Sequence, residues 1–153
     1  MDLASLITPE MVKAPLEALD KEEAFAELVE VLVRAGKVED RTALEDALYD
    51  REAKGSTGIG GGVAIPHAKS EEVGGVVVAV GVSPDGVEFD AADGEPVHLI
   101  FLVIAEAHNP GPNVQVLADI GALMQMPGIY EQMVSARTPE ELVSAVRNVQ
   151  VEL

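Results

Sequence analysis

Five of the eight residues from Gly55 to Gly62 are glycine, with Ser56, Thr57 and Ile59 between them. A glycine costs about 1 kcal/mol relative to alanine inside a helix, so no regular helix crosses this stretch. It separates two regions of different periodicity. Before it, Phe25, Leu28, Val29, Leu32 and Val33 recur at the spacing of one helical face. Asp20 is a good N-cap for that helix, Glu23 stands at the capping-box position, and Gly36 ends it. A second helix is predicted over residues 40–53, with Leu44, Ala47 and Leu48 facing inward. After the glycines, Val63 to His67 reads as a short strand broken by Pro66. Gly75 to Val82 reads as a valine-rich strand, and Ser83-Pro84-Asp85-Gly86 as a turn. Val87 and Phe89 suggest a further short strand, and Val97 to Ile104 a buried one. Asn109-Pro110-Gly111-Pro112 precedes a helix from Asn113 to Met126, which Pro127-Gly128 ends. A short helix is predicted from Ile129, and Thr138-Pro139-Glu140-Glu141 caps a last helix ending near Asn148. This order predicts an α/β fold, one domain over residues 1–153, its central sheet covered by helices.

Composition narrows the function classes. Aromatic residues make up 3% of a chain that is 48% hydrophobic, so the core must be aliphatic. Cysteine is absent, which excludes disulfides, thiolate metal sites and cysteine nucleophiles. Acids outnumber bases 27 to 10, for a formal charge of −17, and no basic footprint for nucleic acid is visible. That charge has three readings: a solvated surface, adaptation to a saline cytoplasm, or attraction to a basic partner. The longest apolar run, Val97 to Ala105, contains His98 and is strand-sized, short of the ~18 residues of a membrane span. The N-terminus lacks a basic start and long apolar run. The expectation is a cytoplasmic protein, not embedded in a membrane.

The chemistry concentrates between Arg51 and Ser70. His67 follows Pro66, which limits backbone freedom, and lies just beyond the glycine-rich loop. Neutral imidazole is a nucleophile, glycines let backbone N–H groups approach an anion, and the planar guanidinium of Arg51 suits phosphate. Together they point to an imidazole beside an anion site. On these residues alone the bland reading is the commoner one: a plain loop and a structural histidine. The run is not a Walker A loop, since no Gly-Lys-Ser/Thr ending occurs, nor does it sit in a Rossmann strand–helix context.

The run GSTGIGGGVAIPHAK resembles the phosphorylation-site signature of the fructose/mannitol-type enzyme IIA domains of the bacterial phosphotransferase system, a group that includes nitrogen-regulatory enzyme IIA proteins. The likeness extends to LASLITPEMVKAPLEALDKEEAFAELVEVLVRAGKV, RTALEDALYDREAKGSTGIG and TPEELVSAVRN, and so to nearly the whole chain. It implies a mixed central β-sheet flanked by helices. It implies that His67 accepts phosphate from the carrier HPr, that Arg51 lies beside the phosphohistidine, and that the loop from Gly58 through Gly60 to Gly62 shapes the pocket. The phosphate then passes to a cysteine of an enzyme IIB domain, or the protein acts as a regulator on a target protein. No cofactor or metal is implied. The hydroxyls of Ser56 and Thr57 are expected either to bind phosphate or to form the turn.

One position departs from the resemblance. Such domains usually carry a second active-site histidine where this chain has Asn113, in the run Asn113-Val114-Gln115-Val116-Leu117. Asparagine donates a hydrogen bond but cannot become cationic. His108 is a candidate substitute or an exposed loop residue, and His98 is expected to be a structural residue of the buried strand. Phosphorylation persists with altered kinetics, serves a slow regulatory switch, or is lost. Retained phosphorylation is favoured, because His67, Arg51 and the glycine loop all remain. The rival is a non-catalytic protein-binding module. A hydrolase or metal enzyme is disfavoured, because no metal-ligand spacing occurs.

Overall fold

The computed structural model describes residues 3–109 and 111–151. A short helix α1 (Leu3–Leu6), a 3-10 turn (Pro9–Met11) and strand β1 (Val12–Lys13) lead into helices α2 (Lys21–Arg34) and α3 (Arg41–Glu52). Strands β2 (Gly58–Gly60), β3 (Val63–Ala64), β4 (His67–Ser70), β5 (Val76–Val87) and β6 (Val97–Glu106) follow, then helices α4 (Gly111–Met124), α5 (Ile129–Val134) and α6 (Pro139–Val151).

Long, apolar β5 and β6 form the antiparallel centre of the sheet, whose order is β1-β5-β6-β3-β2. Strand β1 adds in parallel to β5. The other edge of β6 is shared by two successive parallel strands, β3 opposite Leu99 and Ile100 and β4 opposite Val103 to Glu106. The break at Ile65-Pro66 falls between them, as the proline predicts. The sheet is therefore mixed.

Period-2 alternation assigns the two faces. Val76, Val78, Val80 and Val82, with Leu99, Phe101, Val103 and Ala105, pack into the core under α1, α4, α5 and α6. Ala79, Ile100, Leu102 and Ile104 pack into a second core under α2 and α3. Because both faces are covered, β6 reads as an unbroken apolar run from Leu99 to Ala105. Phe25, Leu28, Val29 and Leu32 of α2 are fully buried, each contributing roughly 1.5–3 kcal/mol by leaving water.

The helix ends follow the expected chemistry. Asp20 accepts the Glu23 N–H at 2.9 Å, while Glu23 reaches back to the Leu19 N–H at 3.1 Å. Asp40 caps α3 through the Ala43 N–H, and Glu72 holds the Glu39 and Asp40 amides, fixing where that helix starts. The Thr138 hydroxyl accepts the Glu141 N–H, and α6 continues to Val151, past the Asn148 end expected for it.

Two expectations are corrected. Ser83 to Gly86 does not separate two strands. Val82 pairs with Leu99 and Val87 with Val97, so the segment bulges out of one continuous β5. The Ser83 hydroxyl accepts the Gly86 N–H, and His98 Nδ1–H donates to the Ser83 carbonyl at 2.8 Å. Local turn chemistry is present, but pairing with β6 resumes beyond it. The glycine run is likewise more than a loop, since Gly58 to Gly60 pairs antiparallel with β3.

Candidate functional site

The site forms where α3 ends against the edge strand β4. Leu44 and Leu48 face the core, and Arg51 and Glu52 continue the same stripe one turn on. Their side chains therefore project toward the sheet. His67 opens β4 and pairs with Val103, which places it on the face covered by α4 to α6. Arg51 comes from the opposite layer, and the two meet at the sheet edge.

Both nitrogens of the His67 ring are engaged. Nδ1 lies 2.9 Å from the Ile65 carbonyl oxygen, and Arg51 Nε lies 3.3 Å from Nε2. A carbonyl only accepts and a guanidinium only donates. Nδ1 therefore carries the proton and Nε2 the lone pair, so the imidazole is neutral and nucleophilic at Nε2. Arg51 is itself held, since its Nη1 donates to the Gly55 carbonyl at 2.9 Å. Both side chains are half-buried.

The glycine-rich segment frames this pair and turns two of its amides to groups within the protein. The Gly58 N–H donates to Ser56 Oγ and the Gly61 N–H to Asp93 Oδ2, each at 3.0 Å. The two amide donors hold the Asp93 carboxyl below the usual carboxylate range, the Gly61 bond most and the Glu95 bond next. The Gly58 carbonyl accepts from Ala92 and the Gly62 carbonyl from His98 and Leu99, fastening the segment to the sheet. Gly62 has φ +80°, and a Cβ there would collide with the Tyr130 hydroxyl. These glycines serve close packing and a tight reversal.

The hydroxyls of Ser56 and Thr57 are also engaged within the protein. Ser56 Oγ donates to the Phe89 carbonyl at 3.0 Å. Thr57, 3% exposed, gives both its hydroxyl and its N–H to the Glu52 carboxylate. Both hydroxyls thus take part in the hydrogen bonds of the turn itself. Glu52, whose side chain is 6% exposed and paired with Lys21 at 2.9 Å, had no part in the sequence reading. The signal available was its place beside Arg51 on the buried stripe of α3.

Asn113 lies in the first turn of α4, the layer that His67 faces. Its Oδ1 is buried without a hydrogen-bond partner among the described residues, and no direct hydrogen bond joins it to His67 or Arg51. His108 is not drawn into the site, for its side chain is 85% exposed and sits 3.7 Å from Glu71. Among the described residues no group of three or more His, Asp or Glu could hold a metal ion, and no helix is long and apolar enough to cross a membrane.

Comparison with known proteins gives this geometry a context. Residues 5–149 match the family described as "Phosphoenolpyruvate-dependent sugar phosphotransferase system, EIIA 2". The chain is 33% identical to the PTS system fructose-specific EIIA component of Haloferax volcanii, with 95% of each covered. It is 35% identical to the PTS system fructose-specific EIIABC component of Bacillus subtilis, over 95% of this chain but 23% of that protein. Among solved structures, nitrogen regulatory protein IIA-Ntr from Neisseria meningitidis superposes with a TM-score of 0.85 at 28% identity, covering 94% of this chain and 98% of that one. The mannitol enzyme IIA of Escherichia coli, solved in complex with phosphorylated mannitol enzyme IIB, shares the fold at a TM-score of 0.76 and 22% identity, covering 91% and 95%. The chain belongs to the EIIA 2 family of the phosphoenolpyruvate-dependent sugar phosphotransferase system.

Proposed function

We propose that this protein is a phosphocarrier that takes a phosphoryl group onto Nε2 of His67 from histidine-phosphorylated HPr and passes it to a protein partner. The observation that carries this reading is the double engagement of the ring, Nδ1–H on the Ile65 carbonyl and the Nε2 lone pair turned to Arg51. In the forward step the phosphorus–nitrogen bond of the donor breaks and a bond to Nε2 forms, and the donor imidazole keeps the electron pair. Positive charge develops on the His67 ring, where the Ile65 carbonyl dipole offsets it. Arg51 yields Nε2 to the phosphorus and directs its donors to the phosphoryl oxygens, anchored by Gly55. Catalysis here is positioning and charge stabilisation, as phosphoryl transfer requires. No metal or cofactor enters the scheme.

The onward acceptor is a cysteine of an enzyme IIB domain or a regulatory target. The names of the relatives support both, since one group is called fructose-specific and another nitrogen-regulatory. The mannitol enzyme IIA bound to phosphorylated enzyme IIB supports transfer between proteins. Ser56 and Thr57 act by shaping the turn, and Gly58 and Gly60 by packing it. Asn113 supplies a neutral amide on the histidine's face of the sheet. A second reading, a binding module whose transfer chemistry is lost, is raised by this amide standing where the resemblance implies a second histidine.

Intact-protein mass after incubation with phosphoenolpyruvate, enzyme I and HPr decides between them. One acid-labile phosphate, absent from H67A, is expected. No phosphate with active donors, together with partner binding unaffected by H67A, would establish the binding module instead.

A further inference from the structure

The end of α3 reaches His67 by a second route. Glu52 accepts the Thr57 N–H at 3.1 Å and the Thr57 hydroxyl, and its other oxygen meets Lys21 Nζ at 2.9 Å. The Thr57 carbonyl accepts the Ile65 N–H at 3.0 Å. The Ile65 carbonyl in turn accepts Nδ1–H of His67 at 2.9 Å. We propose that Glu52 is a positioning residue for His67, acting through Thr57 and the Ile65 carbonyl to keep the proton on Nδ1 and the lone pair on Nε2. The proposal rests on the phosphocarrier reading for its kinetic consequence, but not for its structural one.

The coupling is mechanical rather than electronic. The two Thr57 groups belong to different peptide units, as do the two Ile65 groups, so polarisation is not passed along a single conjugated path. What passes is geometry. Fixing Thr57 fixes the carbonyl that holds Ile65, and the ring of Pro66 restricts ψ of the residue before it, leaving Ile65 little freedom to turn its own carbonyl away. A carboxylate suits the post because its two oxygens serve three donors at once. Lys21 neutralises it, and Lys21 is braced 5.0 Å above the Phe89 ring. The negative charge beside Arg51 is therefore balanced, leaving the guanidinium to the phosphate. Were Thr57 released, the Ile65 carbonyl would lose its orientation. The ring would then revert to the Nε2–H form that free imidazole side chains prefer, which has no lone pair where the phosphoryl group must arrive.

The test is imidazole nitrogen NMR of the unphosphorylated full chain, above the pH of histidine titration, on wild type, E52A, T57V and T57S. It is paired with steady-state transfer from phospho-HPr. Wild type is expected wholly as Nδ1–H. E52A and T57V should show an Nε2–H population and a kcat lowered roughly 10- to 100-fold, with KM for phospho-HPr held within about twofold. T57S, which keeps the hydroxyl, should restore both. T57V preserves side-chain shape, so it decides the matter if E52A does not fold. A folded T57V that keeps Nδ1–H would overturn the proposal, whether kcat is unchanged or lost. If wild type takes no phosphate, the phosphocarrier reading fails, and the tautomer spectra alone decide the role of Glu52.

Discussion

Arg51 and His67 are donor and acceptor across the sheet edge, with Arg51 Nε 3.3 Å from Nε2 of the ring and Nη1 tied to the Gly55 carbonyl. On the proposed phosphocarrier reading, the guanidinium marks the place where phosphoryl oxygens would arrive. R51A should slow phosphoryl acceptance about 100-fold, the usual cost of removing a charge-stabilising donor. R51K should recover only part of that, because an ammonium cannot hold Gly55 and a phosphoryl oxygen in one rigid plane. Rapid-quench mass measurement reads both. A wild-type rate in R51A would remove Arg51 from the mechanism.

Asn113 offers the site an amide where a second imidazole is expected. N113H should change the lifetime of phospho-His67 and make acceptance pH-dependent near the ordinary histidine value of about 6.5. Phosphate release followed by mass over a pH series checks this. Identical lifetimes and a flat profile would mean that residue 113 does not govern the site.

Gly58 packs its α-carbon against Ala91. A Cβ at this position would stand 2.8 Å from the Ala91 Cα, a backbone atom that cannot swing aside. G58A should destabilise the fold by about 1–3 kcal/mol, read as a lower urea midpoint at unchanged slope. A midpoint equal to wild type would show that the segment 89–93 yields without cost.

Much of the architecture was legible because its signals are local. Asp20 and Gly36 bracket α2, Asp40 caps α3, Pro66 splits β3 from β4, and Thr138 starts α6. Strand β1 escaped notice, because two residues carry no periodicity and their pairing with Val80 and Gly81 is a tertiary fact. The bulge from Ser83 to Gly86 misled for the opposite reason. Its residues have genuine turn chemistry, and only the resumed pairing of Val87 with Val97 shows the strand continuing. In the site, residue type suggested His67 beside Arg51, and the resemblance of the run GSTGIGGGVAIPHAK singled them out. Glu52 was hidden, since a glutamate on an acidic helix looks like a solvated charge until Thr57 folds over it.

Asp93 supplies a pH signature of the glycine segment. Its carboxyl is held low by the Gly61 and Glu95 amides. A carboxyl lowered on folding contributes stability above its unfolded pKa and loses it as pH falls through the folded value. The urea midpoint of wild type should therefore exceed that of D93A near neutrality. The gap should narrow and close in acid. A gap that is constant with pH would assign the effect to side-chain packing instead.

The oxygen that holds Nδ1 of His67 belongs to the main chain at Ile65. Every amino acid carries that oxygen, so no point mutation at residue 65 can delete it. A lineage is free to exchange the isoleucine wherever the neighbouring side chains tolerate the new shape. An insertion or deletion between residues 62 and 67 would displace the oxygen itself, whereas a change at Glu52 or Thr57 would leave it in the chain and release only its aim. The most exacting atom of the site is thereby insulated from single-codon drift at its own position, and its inheritance depends on the length of the segment and on the two residues that aim it.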